Sequence, residues 1–297
     1  MDLQQIEHFC AIVEQRNFTR AASLVHISQP ALSRQVQSLE AELGCMLFDR
    51  SVKSAAVLTK EGELFFRFAR TALSQQQALR DALTDLKVQR KGRVRISCPE
   101  TLAQLVLPSY IQHYSNENPN VDVRVLTVNP GEALEMLQEG DVDMAIVMRS
   151  MARPGMEVHY WREGRYMLMV AKGHALTREQ PVRLESLVRY RMILPHSKSR
   201  ISARYKFDAK MAESGLVPEI CLESDAVPLR GEYARIGFGV CFLLAVEEVR
   251  RLYPEDVDFL SMDHLFPPED VVICTRERGL LSASAEILLA LLLQRVS

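Results

Sequence analysis

The chain has 297 residues, of which 47% are apolar and 25% charged, and its formal net charge is -2. That length exceeds one ordinary core, so two or three compact units are expected, and the composition excludes intrinsic disorder and collagen-like order. A charge so close to zero also excludes a packager that holds nucleic acid by bulk attraction, so any nucleic-acid binding must be local.

Leu3, Ile6, Phe9, Cys10 and Val13 recur at helical spacing and predict a first helix that stops near Asn17. Thr19 is the expected cap of a short second helix built on Ala21, Ala22, Leu24 and Val25, whose small alanines let another helix approach. Ser28 is placed to cap a third helix, with Pro30 tolerated in its first turn and Leu32, Val36, Leu39 and Leu43 forming its apolar stripe. Gly44 ends it as a left-handed residue. The opposite face carries Gln29, Ser33, Arg34 and Gln37. Two short apolar pieces, Met46 to Phe48 and Ala55 to Leu58, then flank a polar tip with Arg50 and Lys53, as in a β-hairpin wing. Charge alone does not suggest DNA here, because Arg16, Arg20, Arg34, Arg50 and Lys53 face six carboxylates over the same stretch.

Thr59 caps a long helix whose apolar positions Leu64, Phe65, Phe68, Ala72, Leu79, Leu83 and Leu86 form one seam that needs a partner helix. The run from Lys87 to Arg93 breaks that pattern and marks a domain boundary. Beyond it strands alternate with helices: strand 94–97, helix 102–114, strand 121–128, helix 131–138 and strand 144–147. Further strands are expected at 166–171, 191–194, 219–222, 240–244, 257–260 and 271–275, before a terminal helix over 282–293. Such alternation implies βαβ units on a parallel sheet.

The six cysteines form no C-x-x-C pair and have no histidine at ligand spacing, so buried thiols are the simple reading and redox sensing by two of them the alternative. No metal or cofactor is expected. The N-terminus has no secretory pattern and no stretch approaches a membrane span, which places the protein in the cytoplasm.

A third helix that projects Ser33, Arg34 and Gln37 together suits the major groove, where arginine can pair with guanine and glutamine with adenine. Arg50 and Lys53 would meet the flanking phosphates. The alternative is a three-helix scaffold with a solvated face. Motifs beyond periodicity decide between them. The segments MDLQQIEHFCAIVEQRNFTRAAS, LVHISQPALSRQVQSLEAELGCMLFDR and LTKEG carry F-T-R-A-A, S-Q-P-A-L-S and L-E-x-E-L-G-x-x-L-F-x-R in order. In these the chain resembles the LysR-type transcriptional regulator family of bacteria along its whole length.

The resemblance implies an α/β protein with an N-terminal winged helix-turn-helix (1–58), a linker dimerisation helix and hinge (59–91) and a two-lobe effector-binding module (92–297) similar to type 2 periplasmic binding proteins. Lobe I would be 92–161 with 265–297, and lobe II 162–264. It implies an antiparallel homodimer through the linker helix, a homotetramer on an interrupted inverted repeat of duplex DNA, and contact with RNA polymerase. Thr19, Ser28, Gln29, Pro30, Ser33 and Arg34 fall on the family's DNA-facing positions, with Arg20 and Gln37 beside them and Arg50 and Lys53 on the wing.

Ligands of open α/β sheets sit at strand C-terminal ends, often against helix N-termini. Those ends offer Pro99, Glu100, Thr101, Asn129, Pro130 and Met148 from one lobe, and His196, Ser197, Ser199, Val227 and Phe242 from the other. Thr101 falls where the family places a hydroxyl for an effector carboxylate. Pro130, Glu100 and Met148 depart from that pattern, so Glu100 either receives a cationic or hydroxyl-rich effector or is paired with Arg149 or Arg200. Each has a plainer alternative: Thr101 as a helix cap, His196 as a loop residue, Met148 and Phe242 as core.

Three other functions fit the sequence less well. No G-x-S-x-G, P-loop or dinucleotide fingerprint supports an enzyme. A transported-solute receptor would need a secretory signal and would leave residues 1–86 without a purpose. A ligand-independent architectural DNA protein is the stronger rival, and a metabolite screen for stabilisation separates it from a regulator.

Overall fold

The computed structural model describes residues 1–49, 56–86, 92–196, 202–253, 255–276 and 281–294. The chain divides into two compact units, one of residues 1–83 with 138–141 and one of 84–137 with 142–297.

In the first unit α1 (Leu3–Gln15), α2 (Phe18–Leu24) and α3 (Gln29–Leu43) pack around Phe9, Ile12, Ala21, Leu32 and Leu39, all fully buried. Asn17, not Thr19, caps α2: its Oδ1 accepts the N–H groups of Thr19 (2.9 Å) and Arg20 (3.0 Å), so the helix starts one residue after the asparagine. Ser28 Oγ accepts from Ala31 N–H at 3.4 Å, Pro30 lies in the first turn of α3, and Gly44 closes it at φ 69°. An antiparallel bridge between Phe48 and Leu58, with Asp49 N–H donating to Val57 at 2.8 Å, forms the base of the wing. The wing tip, with Arg50 and Lys53, lies outside the described residues. Thr59 Oγ1 accepts from Gly62 N–H at 2.9 Å and starts α4 (Lys60–Leu86).

The second unit opens with β1 (Arg93–Cys98), α5 (Glu100–Leu105), α6 (Leu107–Glu117), β2 (Asp122–Thr127), α7 (Pro130–Glu139) and β3 (Met144–Met148). The single helix expected over 102–114 is two, because Pro108 lacks an N–H to continue the ladder and the chain turns at Val106. β4 (Met156–Ala171) follows, then α8 (Leu184–Leu187), β5 (Met192–Leu194), α9 (Ser202–Glu213), β6 (Ile220–Glu223), α10 (Val227–Arg235), β7 (Val240–Ala245), β8 (Val257–Ser261), β9 (Glu269–Arg276) and α11 (Ala283–Leu293).

The strands are hydrogen-bonded in the order β2-β1-β3-β9-β4-β7-β5-β6, with β8 on β4. Strands β2, β1 and β3 are parallel, as are β6, β5 and β7. β9 and β4 are antiparallel to their neighbours, so the sheet is mixed rather than wholly parallel. β4 pairs with β9 from Met156 to Gly164 and with β7 from Arg165 to Met169, passing between two sheet halves at Gly164. A β-carbon on Gly164 would stand 3.2 Å from the Glu269 carbonyl, a tighter approach than an alanine normally makes.

Candidate functional site

Among the described residues, two places collect the groups that the sequence singles out for recognising another molecule. The first is the solvent side of α3. Ser28, Gln29, Pro30, Arg34 and Gln37 are exposed, Ser33 is half-buried, and Thr19 and Arg20 are exposed on the first turn of α2. Leu32, Val36 and Leu39, on the other side of α3, are buried and hold the helix in place. Arg34 Nε reaches the Pro30 carbonyl at 3.4 Å, a contact weak enough for the guanidinium to exchange for a base edge. The buried Glu40 carboxylate accepts the backbone N–H groups of Leu47 (2.8 Å) and Phe48 (3.3 Å) and so ties the end of α3 to the wing strand.

The second is a cavity of about 590 Å³ in the second unit, at the strand ends where both sheet halves meet. Pro99, Glu100, Thr101, Asn129, Pro130, Met148 and Val227 line it. Thr101 is buried and does not cap α5, whose first position follows Pro99 without a side-chain cap. Asn129 Oδ1 accepts from Glu132 N–H at 3.0 Å and its amide donates to the Glu132 carboxylate at 3.2 Å, which fixes the first turn of α7.

His196 and Phe242 do not line the cavity. His196 is exposed and only its backbone N–H is held, by Asp225 Oδ1 at 3.1 Å. The Phe242 ring is fully buried, stacked on Tyr166 at 5.7 Å and packed against Phe207 and Phe266. Phe242 and Leu244, two residues apart on β7, share one face of the strand, and of the two only Leu244 lines the cavity, Phe207 of α9 being packed on the Phe242 ring. Ser197 and Ser199 lie outside the described residues, as does Arg200. Arg149 is taken by Asp270 at 2.7 Å and leaves Glu100 unpaired with it.

The sequence reading missed Asp225, Arg230, Val246 and Val249, which also line the cavity. Val246 follows the C-terminal end of β7, so the strand-end rule that found Met148 would have found it too. Arg230, one turn into α10, carries no such signal.

The cysteines are free thiols, and burial pushes Cys98 and Cys10 up to about 12. At neutral pH these two remain protonated and unreactive. Among the described residues no cluster of His, Cys, Asp or Glu could hold a metal ion, and no helix is long and apolar enough to cross a membrane.

Comparison with known proteins agrees with this geometry. Residues 3–63 match the model of the bacterial regulatory helix-turn-helix protein, lysR family, and residues 87–297 that of the LysR substrate binding domain. The HTH-type transcriptional activator IlvY of Haemophilus influenzae is 26% identical over 285 residues, covering 94% of this chain and 96% of that protein. Full-length CbnR, crystallised with its target DNA, superposes with a TM-score of 0.66 at 20% identity over all of both chains. A full-length OxyR variant from Pseudomonas aeruginosa gives a TM-score of 0.71 at 21% identity, over 98% of this chain and 93% of that one. These two share the fold. With both parts matched in order and almost the whole chain covered, the protein belongs to the LysR family of bacterial helix-turn-helix regulators.

Proposed function

We propose that this regulator reads an interrupted inverted repeat in duplex DNA with α3, and that a small molecule in the cleft alters how it holds that DNA. As a member of its family it is a DNA-binding transcription regulator with an effector-binding domain, and not an enzyme. The observation that carries the finer reading is the polar face of α3, exposed through Gln29, Arg34 and Gln37 on a helix whose other side is buried. Gln29, Pro30, Ser33, Arg34 and Gln37 would meet base edges, and Thr19, Arg20, Ser28 and the wing residues Arg50 and Lys53 the backbone.

Residues 1–58 act as the DNA-binding domain, 59–91 as linker helix and hinge, and 92–297 as effector module, with lobes 92–161 plus 265–297 and 162–264. Two copies pair through α4, two dimers form a homotetramer on DNA, and RNA polymerase is the downstream partner. The place of action is the bacterial cytoplasm. The effector can shift DNA geometry only by its differential affinity for two arrangements of the lobes.

The test is selection of binding sites from random duplex DNA at roughly 150 mM salt, where weak phosphate attraction is reduced, with Arg34→Ala in parallel. The wild type should enrich an inverted repeat, and the variant should lose base preference at one position in each half-site, at a cost of about 1–3 kcal/mol there. No enriched repeat from the wild type would refute sequence-specific reading by α3.

A further inference from the structure

We infer that the cleft selects an apolar molecule carrying a single carboxylate, and that Arg230 is the group that anchors it. This rests on the reading of the cleft as the effector site and adds the chemistry of its occupant.

Arg230 lines the cavity and is 3% exposed. Its Nη1 donates to the Phe242 carbonyl at 2.9 Å and touches Cys241 Sγ at 3.8 Å, both neutral groups, while its buried Nε has no partner. Among the described residues no carboxylate forms an ion pair with it. The other buried arginines of this unit are treated differently. Arg204 has Asp208 and Glu223, each at 2.6 Å, and Arg276 has Asp143 at 3.8 Å. A guanidinium taken out of water without a counter-charge is costly, and a carboxylate is the ligand group that removes the cost, through charge-assisted hydrogen bonds.

The rest of the cleft bounds the ligand. Leu102, Val128, Met148, Leu244, Val246 and Val249 supply an apolar wall, and about 590 Å³ suits a small metabolite. Three exposed carboxylates also line the cavity: Glu100, Glu132, which accepts from Asn129, and Asp225, which accepts from His196. Their field opposes a second negative group, so dicarboxylates and phosphate esters are disfavoured while one carboxylate can reach Arg230.

The experiment uses the full chain with a matched series: hexanoate, cyclohexanecarboxylate, their two amides, hexylamine and adipate. Binding is measured by calorimetry and by the shift in Tm, and the affinity for a selected DNA site is measured with each compound. The monocarboxylates should bind, the amides and the amine at least tenfold more weakly, and adipate at least tenfold more weakly than hexanoate. Arg230→Gln, which keeps a donor for the Phe242 carbonyl, should erase the preference for carboxylate over amide. Should that variant fold poorly, the exposed Glu100→Gln is the second arm and should tighten adipate more than hexanoate.

Equal binding of amide or amine and carboxylate, no binding by any compound, or an unchanged adipate-to-hexanoate ratio in Glu100→Gln would each overturn the assignment. An amine or amide that binds and changes DNA affinity would leave the effector reading standing without Arg230. A carboxylate that binds through Arg230 with no change in DNA affinity would uphold the anchor and sink the effector reading.

Discussion

The Leu47 backbone is gripped from two sides. Glu40 Oε1 accepts its N–H at 2.8 Å, and Thr59 N–H donates to its carbonyl at 3.0 Å. Gly62, in the first turn of α4, has no side chain for a reason: a β-carbon there would stand 2.0 Å from the Leu47 carbonyl oxygen. The obstacle is backbone, so no rotamer change relieves it. Gly62→Ala, normally a gain in helix propensity, should instead destabilise the DNA-binding unit by about 2–4 kcal/mol, read as a lower urea midpoint at unchanged slope. An unchanged midpoint would show that the wing strand shifts freely. At this scale Ser28 and Gly44 were legible from sequence because each is the preferred residue at a helix end. The cap of α2 was not, since Asn17 and Thr19 are both good caps two residues apart and only the hydrogen bonds distinguish them.

Among the elements, α4 leaves part of its expected apolar seam uncovered, the side chains of Leu83 and Leu86 lying outside the described residues. Leu64 is 63% exposed, Phe68 50% and Leu79 59%, on a helix whose Phe65 and Ala69 are buried in the first unit. In the proposed dimer a second copy of the helix would cover these positions, and charges placed there should prevent pairing without unfolding the monomer. The wild type should sediment as at least a dimer and the double variant Leu64→Glu, Phe68→Glu as a monomer, with helical circular dichroism retained. A variant that still dimerises would place the seam elsewhere. Long periodic helices such as this one are the most legible elements. β4 was half legible: 166–171 is apolar, whereas 156–165 interleaves Glu157, Arg162 and Glu163 with Val158 and Trp161 and becomes a strand by pairing with β9. Helices α9 and α10 escaped notice because each buries an arginine, Arg204 and Arg230, where a periodicity search expects an apolar residue.

The effector module as a whole is joined by a carboxylate that no local pattern announces. Glu269, the first residue of β9, is 7% exposed; its Oε2 accepts from Tyr166 Oη at 2.7 Å and Lys206 Nζ at 2.8 Å, and its Oε1 from Ser150 Oγ. Ser150 follows β3 in one sheet half, Lys206 belongs to α9 against the other, and Ala203, one turn before it, lines the cleft. Glu269 and its partners are 63 to 119 residues apart in sequence, beyond any periodicity. Glu269→Gln keeps the shape and removes the charge, so it should cost about 2–3 kcal/mol in urea unfolding. Lys206→Met alone takes a cation away from the buried carboxylate and should also destabilise. In the double variant both members of the Lys206–Glu269 pair are gone and neither is left facing the other's absence, so its loss should fall short of the sum of the two single losses by about 1 kcal/mol or more. Because the network spans both halves, Glu269→Gln should also change ligand affinity in the cleft, although Glu269 does not line it, by moving the balance between closed and open arrangements. Additive losses would mean that Lys206 and Glu269 are neighbours without coupling. Unchanged ligand affinity in a destabilised variant would show that the network holds the fold together and has no part in lobe closure.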